Sequence, residues 1–202
     1  MLLEEEEKIR PTPTSDLWTL TNAEQYDVLL LVPIRGFPHV PDEAIAAIRR
    51  HVWNGGGMIG MHDVLFLAPA PFHEIFGGTG GVFPTDAASP KLRIVVRPAA
   101  RRHPILAGIP DRFPLIEEHP VRTGYDPRVS RLLDAVYTSV RGEEIAHLAA
   151  WTRRYGEGWT LYFSPGHSEL TRYHPYVIRL FVNAIRHFSS EGSPSAPSRV
   201  GG

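Results

Sequence analysis

His62 comes directly after a short apolar segment, Met58–Met61, that is typical of a strand buried inside a sheet. The glycine run Gly55–Gly57 precedes this segment, and Asp63 follows the histidine where the chain must turn back. A neutral imidazole at such a turn can act as a general base or bind a metal ion. We therefore take His62 as a candidate catalytic residue and Asp63 as a candidate substrate-binding residue. In the alternative interpretation, His62 only forms a hydrogen bond with the backbone of a loop.

His167 follows a second predicted strand, Trp159–Ser164. Glu169, two residues further along, could orient the imidazole as a carboxylate orients the histidine of a catalytic pair. His167 is therefore our candidate general base, with Glu169 as its catalytic partner. Alternatively, Ser168 or Glu169 caps the turn that follows, and His167 takes no part in chemistry.

Four further residues could complete a site. Glu117 and Glu118 could serve as acid and base, although adjacent acidic residues more often form a solvated edge. We retain Glu118 as a catalytic candidate. His39 is a candidate substrate contact because it lies beyond another predicted strand, and Trp151 is one because its ring could pack against the apolar face of a sugar. The alternatives are a surface histidine and a core tryptophan.

A metal ion is a weaker interpretation of the same residues. A divalent ion such as zinc needs three or four converging ligands. His62, His167, Glu118 and His39 could supply them only if the fold brings them together. The chain has no short-range ligand spacing such as His-Glu-x-x-His. The cofactor therefore stays open, with zinc at His62 and His167 as the weaker hypothesis.

The composition excludes several classes of function. The 202 residues carry a formal net charge of -1, so the chain lacks the basic excess that binding to a phosphate backbone requires. Cysteine is absent, which excludes disulfides, thiolate metal sites and cysteine nucleophiles. Glu4–Glu7 are the opposite of the cationic start of a signal peptide, and no apolar run reaches the roughly 18 to 20 residues that cross a bilayer. We expect a soluble, cytoplasmic protein that binds neither nucleic acid nor membranes.

Short apolar segments predict the sheet that must position the candidate residues. The candidate strands are Tyr26–Val32, Met58–Met61, Leu92–Arg97, Arg131–Thr138, Ala146–Trp151 and Trp159–Ser164. Residues 41–53 and His174–Phe188 have apolar side chains at helical spacing, and strand, helix and strand in that order predict a right-handed parallel crossover. We therefore expect an α/β, flavodoxin-like, doubly wound and mostly parallel sheet in one domain over residues 1–188. Gly77–Pro90 is predicted as a surface loop and Ser189–Gly202 as a disordered tail.

Four motifs follow one another along the chain: Gly55–His62, Arg102–Gly108, Ala150–Gly158 and Gly166–His167. Their order and spacing resemble the ThuA-like (trehalose utilization) family over roughly Tyr26–Phe188. The resemblance implies the fold of class I glutamine amidotransferases, whose catalytic cysteine occupies the turn where His62 stands here. It also implies that His167 and Glu169 reproduce the His-x-Glu pair of those enzymes. For activity, it implies a link to the uptake and breakdown of disaccharides such as trehalose, without one general reaction. A hydrolase and a lyase that act on disaccharide derivatives are both open.

The chain departs from the family pattern in two places. The family begins with a strand, a loop and a helix ahead of Ile9–Asp16, so the resemblance implies that the usual first strand is missing or lies upstream. The strands beside the missing one would then have unpaired backbone edges, and a homo-oligomer could cover these edges. The family also carries Asp-Glu-x-Tyr where this chain has Glu117-Glu118-His119-Pro120, which keeps an acidic pair but not the tyrosine.

Three functions remain open at this stage. In the leading hypothesis, His62 and His167, supported by Glu169 and Glu118, transfer protons on a small-molecule sugar, either a disaccharide or a keto-sugar. The alternative is a non-catalytic sugar-binding or assembly module. A third interpretation is a remnant amidotransferase domain that pairs with a synthase. The sequence does not determine the substrate, the reaction or the oligomeric state.

Overall fold

The computed structural model describes residues 9–32, 39–66, 70–82, 91–117 and 122–191. Its strands are β1 (Val28–Leu31), β2 (Gly57–Met61), β3 (Gly78–Val82), β4 (Lys91–Val96), β5 (Arg112–Ile116), β6 (Arg122–Tyr125), β7 (Ser130–Thr138), β8 (Glu144–Tyr155) and β9 (Gly158–Phe163). Its α-helices are α1 (Asp42–Trp53), α2 (Asp63–Phe66), α3 (Ala70–Phe76), α4 (Glu169–Arg172) and α5 (Pro175–Glu191). Short 3-10 helices span Leu17–Gln25, Pro98–Ala100 and Pro104–Leu106.

Seven strands form one mixed sheet in the order β1-β2-β9-β8-β7-β4-β5, and β3 pairs with β6 in a separate two-stranded sheet. Strands β1, β2 and β9 run parallel, and every later neighbour in the order is antiparallel. Helix α5 buries its apolar side chains against one face of the large sheet, while α1 and α3 cover the other. The predicted α/β class is therefore confirmed.

The predicted doubly wound and mostly parallel arrangement is wrong, because only the β1-β2-β9 part of the sheet is parallel. Parallel neighbours need a crossover of about a dozen residues or more. The chain between β8 and β9 is the two-residue turn at Gly156, whose φ of 62° is in the left-handed region. Such a connection makes a hairpin. Strands of an antiparallel sheet that is covered on both faces have the same continuous apolar pattern as parallel ones, so the sequence pattern does not separate the two cases.

The predicted gap beside the first strand is also absent between the described strands. β1 pairs directly with β2, in a register that runs from Val28 opposite Gly57 to Leu31 opposite Gly60. β1 is therefore one edge of the seven-stranded sheet, and β5 is the other. Between these two strands, every strand of the sheet has a neighbour on both sides.

Helix α1 forms where the sequence predicts it. Asp42 and Glu43 lie in its first turn, where negative charge complements the helix dipole, and Arg50 and His51 lie in its last turn. Its apolar residues at helical spacing are buried against the sheet. The helix connects β1 to β2 and so carries the chain back to the start of the strand that ends at His62.

Two boundaries differ from the prediction. Gly78–Val82, expected in a loop, forms β3 and pairs with β6, whereas residues 83–90 of that predicted loop lie outside the described residues. Helix α5 continues to Glu191, three residues into the predicted tail, and residues 192–202 lie outside the described residues. Among the residues that the structure describes, no helix has the length and apolar character needed to cross a membrane.

Candidate active site

His62 occupies the turn between β2 and α2 in a left-handed backbone conformation, with φ 50°. Among the described residues, it is the one residue other than glycine that has a positive φ. Such a conformation costs roughly 1 to 3 kcal/mol and persists only where the surroundings impose it. Here the backbone N–H of His62 donates to the carbonyl oxygen of Phe163 at 3.0 Å, and its carbonyl oxygen accepts from the Tyr162 hydroxyl at 2.7 Å. Strand β9 therefore fixes both sides of the turn.

The imidazole of His62 is 3% exposed and faces an acceptor at each nitrogen. Nδ1 lies 3.2 Å from the carbonyl oxygen of Ser164, and Nε2 lies 3.4 Å from Oδ1 of Asp63. A carbonyl oxygen can only accept, so Nδ1 carries a proton. The other ring nitrogen, Nε2, faces the carboxylate of Asp63.

The hydroxyl of Tyr162 stabilises this turn through its hydrogen bond to the carbonyl oxygen of His62. Burial raises the pKa of Tyr162 far above its usual value, and the negative charge of Asp63 adds to the effect. The hydroxyl therefore stays protonated and keeps donating to the carbonyl oxygen of His62.

His167 lies next to His62, because the strands that precede them, β2 and β9, are neighbouring parallel strands. The two ring centroids are 5.5 Å apart and the rings meet edge to face, at 74°. His167 is exposed whereas His62 is buried. The pair therefore consists of the exposed imidazole of His167, which can contact a ligand, and the buried imidazole of His62.

Glu117 holds the loop that carries His167. Its carboxylate is 2% exposed and accepts from the backbone N–H of Gly166 at 3.0 Å and from that of Ser168 at 3.1 and 3.2 Å. Gly166 must remain a glycine, because a Cβ there would lie 2.6 Å from Cγ of Met61. A side chain at position 166 would therefore displace either Met61 or the loop that Glu117 holds.

Arg172 holds the same loop through its carbonyl groups. Its Nη1 donates to the carbonyl oxygens of Gly166 at 3.0 Å and His167 at 2.7 Å. The side chain is 13% exposed, so these hydrogen bonds are largely shielded from water. Glu117 on the amide side and Arg172 on the carbonyl side together fix the backbone on which the exposed imidazole stands.

Glu169 is not the carboxylate that supports this loop. Its side chain is 80% exposed, and its Oε1 lies 3.7 Å from Nη2 of Arg172. Ser168 accepts from the N–H of Leu170 at 3.1 Å and caps α4, which matches the alternative interpretation of this segment. The carboxylate that holds the backbone of this loop is therefore that of Glu117, and the catalytic role expected of Glu169 stays a prediction.

Sequence reasoning named Glu117 together with Glu118 but retained Glu118, although a signal that favours Glu117 exists. Burial alternates along β5, with Phe113 and Leu115 inside and their neighbours outside, and Glu117 continues the buried face. Side chains two residues apart in a strand share one face of the sheet. This alternation indicates that Glu117 turns inward. Glu118, the catalytic candidate chosen from the pair, lies outside the described residues.

Trp151 lies in the core rather than at the surface of the site. Its side chain is fully buried, its indole N–H donates to the carbonyl oxygen of Phe76 at 2.8 Å, and its ring lies 4.7 Å from that of Tyr162. The prediction that it binds substrate is therefore wrong, because the sequence does not show which face of β8 is covered. His39 is exposed ahead of α1, and its role in binding stays a prediction.

The described residues contain no cluster of three or more side chains that could hold a metal ion. Two open clefts, of about 520 and 510 Å³, are lined by residues of β4 and β5 in one case and of α3, β3 and β6 in the other, and neither is lined by His62 or His167. The histidine pair lies at the carboxyl ends of β2 and β9, with His167 exposed and His62 buried.

Three solved structures share the fold. A ThuA-like protein from Parabacteroides merdae has a TM-score of 0.67 and 16% identity, covering 94% of this chain and 80% of that chain. A cytoplasmic protein from Salmonella typhimurium has a TM-score of 0.55 and 17% identity, covering 83% and 74%. A β-galactosidase from Rahnella sp. R3 has a TM-score of 0.55 and 12% identity, covering 81% of this chain but 23% of that chain. At these identities the likeness establishes the fold.

Comparison with curated proteins gave no match. Comparison with family models gave one that covers most of the chain: the ThuA model, described as trehalose utilisation, matches residues 1–188. The motifs around His62 and His167 and the strands that carry them lie inside that range. The chain therefore belongs to the ThuA, trehalose utilisation, family.

Proposed function

We propose that the protein is an enzyme of carbohydrate metabolism in which His167 exchanges a proton with a disaccharide or a keto-sugar. The observation that carries the proposal is the imidazole pair, with one exposed ring 5.5 Å from a buried ring on a left-handed turn. Imidazole is the side chain whose proton exchange operates near neutral pH. The family description, trehalose utilisation, supports a sugar as the substrate.

The two histidines take different roles in this proposal. His167 is exposed, so it is the group that contacts the sugar and accepts or returns the proton. His62 is buried and has Asp63 at 3.4 Å, so it supports a positive charge that develops on the pair. Glu117 and Arg172 are positioning residues, because they act on the backbone of the His167 loop. A hydrolase and a lyase both need such a group.

The test is turnover of a panel of disaccharides and keto-disaccharides, followed by chromatography of the products. His167→Ala should lower turnover by roughly 10²- to 10⁴-fold, the usual contribution of a general acid or base. The matched control is His147→Ala, which removes an imidazole from β8 that contacts Tyr137 at 3.4 Å. That variant should keep the activity of the wild type. A folded His167→Ala variant with full activity would show that the site assignment is wrong.

A second candidate function is a non-catalytic sugar-binding or assembly module. The observation that favours it is the β-galactosidase neighbour, in which this fold accounts for 23% of a much longer chain. In that case the wild-type protein turns over no sugar at any pH but still binds sugar or self-associates. Light scattering and calorimetry on the wild-type chain distinguish this outcome from the enzyme.

We also infer a cytoplasmic location and an origin shared with class I glutamine amidotransferases. A fold neighbour described as cytoplasmic supports the location. The position of His62, on a left-handed turn between a strand and a helix, supports the shared origin. Because the chain has no cysteine, any chemistry at this turn differs from that of a cysteine nucleophile.

A further inference from the structure

Tyr173 is an exposed aromatic residue beside the loop that carries His167. It directly follows Arg172, whose guanidinium group holds the carbonyl oxygens of that loop, so its backbone is fixed relative to the imidazole pair. The residue is 64% exposed, and Leu170, three residues earlier, is 65% exposed. Residues three apart in a helix are neighbours on its surface. Helix α4 therefore presents an apolar surface next to the polar centre.

Two other exposed aromatic rings, those of Tyr125 and Trp53, each have a partner. The guanidinium group of Arg131 lies over the ring of Tyr125, at 4.8 Å from its centroid. The ring of Trp53 meets that of Tyr155 edge to face at 5.4 Å. Within the described part of the chain, the ring of Tyr173 has no aromatic or cationic partner of this kind. Its faces are open to a ligand.

We propose that Tyr173, with Leu170 beside it, forms the platform on which a pyranose ring of the substrate packs. This inference rests on the proposed function, because it places the ring next to the sugar that reacts at His167. A pyranose has an apolar face of C–H groups and a rim of hydroxyls, and an aromatic ring packs against the apolar face. Exposed apolar surface beside a polar site is typical of a binding site.

The platform selects for the length of the sugar. Leu170 lies in α4 and Tyr173 directly follows that helix, whereas the imidazoles belong to the loops after β2 and β9. One ring lies at the imidazole pair and the next one packs on the platform. The substrate class is therefore a neutral disaccharide or a longer oligosaccharide, and a monosaccharide uses the imidazole side alone.

Calorimetric titration of the full chain tests this platform, with trehalose and maltose as the disaccharides and glucose as the monosaccharide. Tyr173→Ala should weaken binding of the disaccharide by roughly three- to tenfold, the range typical of one aromatic contact, and leave glucose binding unchanged. Tyr173→Phe keeps the ring and should bind like the wild type. The matched control is Trp18→Ala, since Trp18 is 60% exposed in the 3-10 helix Leu17–Gln25, which packs on α1 across the sheet from α5.

Each outcome decides a separate point. Equal disaccharide affinities of Tyr173→Ala and the wild type overturn the platform, while turnover of His167→Ala decides the proposed function independently. An equal loss in Trp18→Ala overturns it as well, because the effect would then be general. A change in molecular mass of Tyr173→Ala by light scattering, without a change in sugar affinity, assigns the surface to self-association instead. A wild-type chain that binds none of the three sugars overturns both the platform and the sugar part of the proposed function.

Discussion

The two halves of the seven-stranded sheet contribute differently to the site. In the parallel half, β1, β2 and β9 run in the same direction, and Met61 at the end of β2 pairs with Phe163 at the end of β9. The residues that follow the two strands, His62 and His167, therefore meet. In the antiparallel half, each strand ends where its neighbour begins, so two carboxyl ends never lie side by side. A parallel pair of strands is what brings two distant loops to one point.

The antiparallel half contributes a contact that holds the His167 loop. Glu117 follows β5, at the far edge of that half, and its carboxylate reaches the amides of the loop that follows β9. This contact links the two halves across the site. Removing the Glu117 carboxylate therefore tests the effect of this contact separately from the effect of the imidazoles.

The largest effect is expected for Glu117→Ala. The change leaves the buried N–H of Gly166 and the half-buried N–H of Ser168 without their acceptor, which should lower the free energy of unfolding by roughly 1 to 3 kcal/mol. Turnover should fall as well, since the His167 loop loses its anchor. Urea unfolding and the sugar assay measure the two effects.

The control for this change is Glu144→Ala in the antiparallel half. Glu144 pairs with Arg93 at 2.6 Å, but its side chain is 64% exposed. An exposed ion pair contributes at most about 1 kcal/mol, so both stability and turnover should stay close to those of the wild type. Similar losses in the two variants would contradict a special role for Glu117.

A smaller effect is expected when the left-handed turn of the parallel half is relieved. His62→Gly and His62→Ala both remove the imidazole, and both should lose turnover. Glycine adopts a φ of 50° without steric cost. The free energy of unfolding of His62→Gly should therefore be about 1 kcal/mol higher than that of His62→Ala. Thermal and urea unfolding of the two variants measure the difference. Equal stabilities would indicate that the backbone at this turn relaxes in the variants.

The smallest effect is expected when the pH is lowered, which should decrease the free energy of unfolding. Burial lowers the pKa of His51, whose Nε2 lies 3.2 Å from the carbonyl oxygen of Gly57, and burial also lowers the pKa values of His103 and His174. Because the unfolded chain binds these protons first, stability is full above the unfolded value of 6.5 and is lost as the pH falls below it. Urea unfolding at pH 7.5 and at pH 5.5 should show the decrease. His51→Gln should reduce it, and an unchanged decrease in that variant would remove His51 as a cause.

The same division explains what the sequence could predict. The strands that precede His62 and His167 and the helix between β1 and β2 follow from local periodicity. The proximity of the two histidines does not, because it depends on the parallel pairing of β2 with β9, which joins distant segments of the chain. The antiparallel half does not follow, because its buried strands have the same apolar pattern. Glu117 and Trp151 depend on which face of a strand is covered, which is decided by distant parts of the chain.

The contact between the two strand ends also has a consequence for the order in which the molecule is made. His62 and Ser164 are 102 residues apart in the chain. At roughly 5 to 20 residues per second, a ribosome needs roughly 5 to 20 seconds to synthesise the segment that separates them. The hairpins β7-β8 and β8-β9 close from local contacts, whereas β2 waits for β9. The imidazole pair is therefore among the last features to assemble, and a nascent chain that stops before β9 carries His62 on a strand that lacks one of its two neighbours.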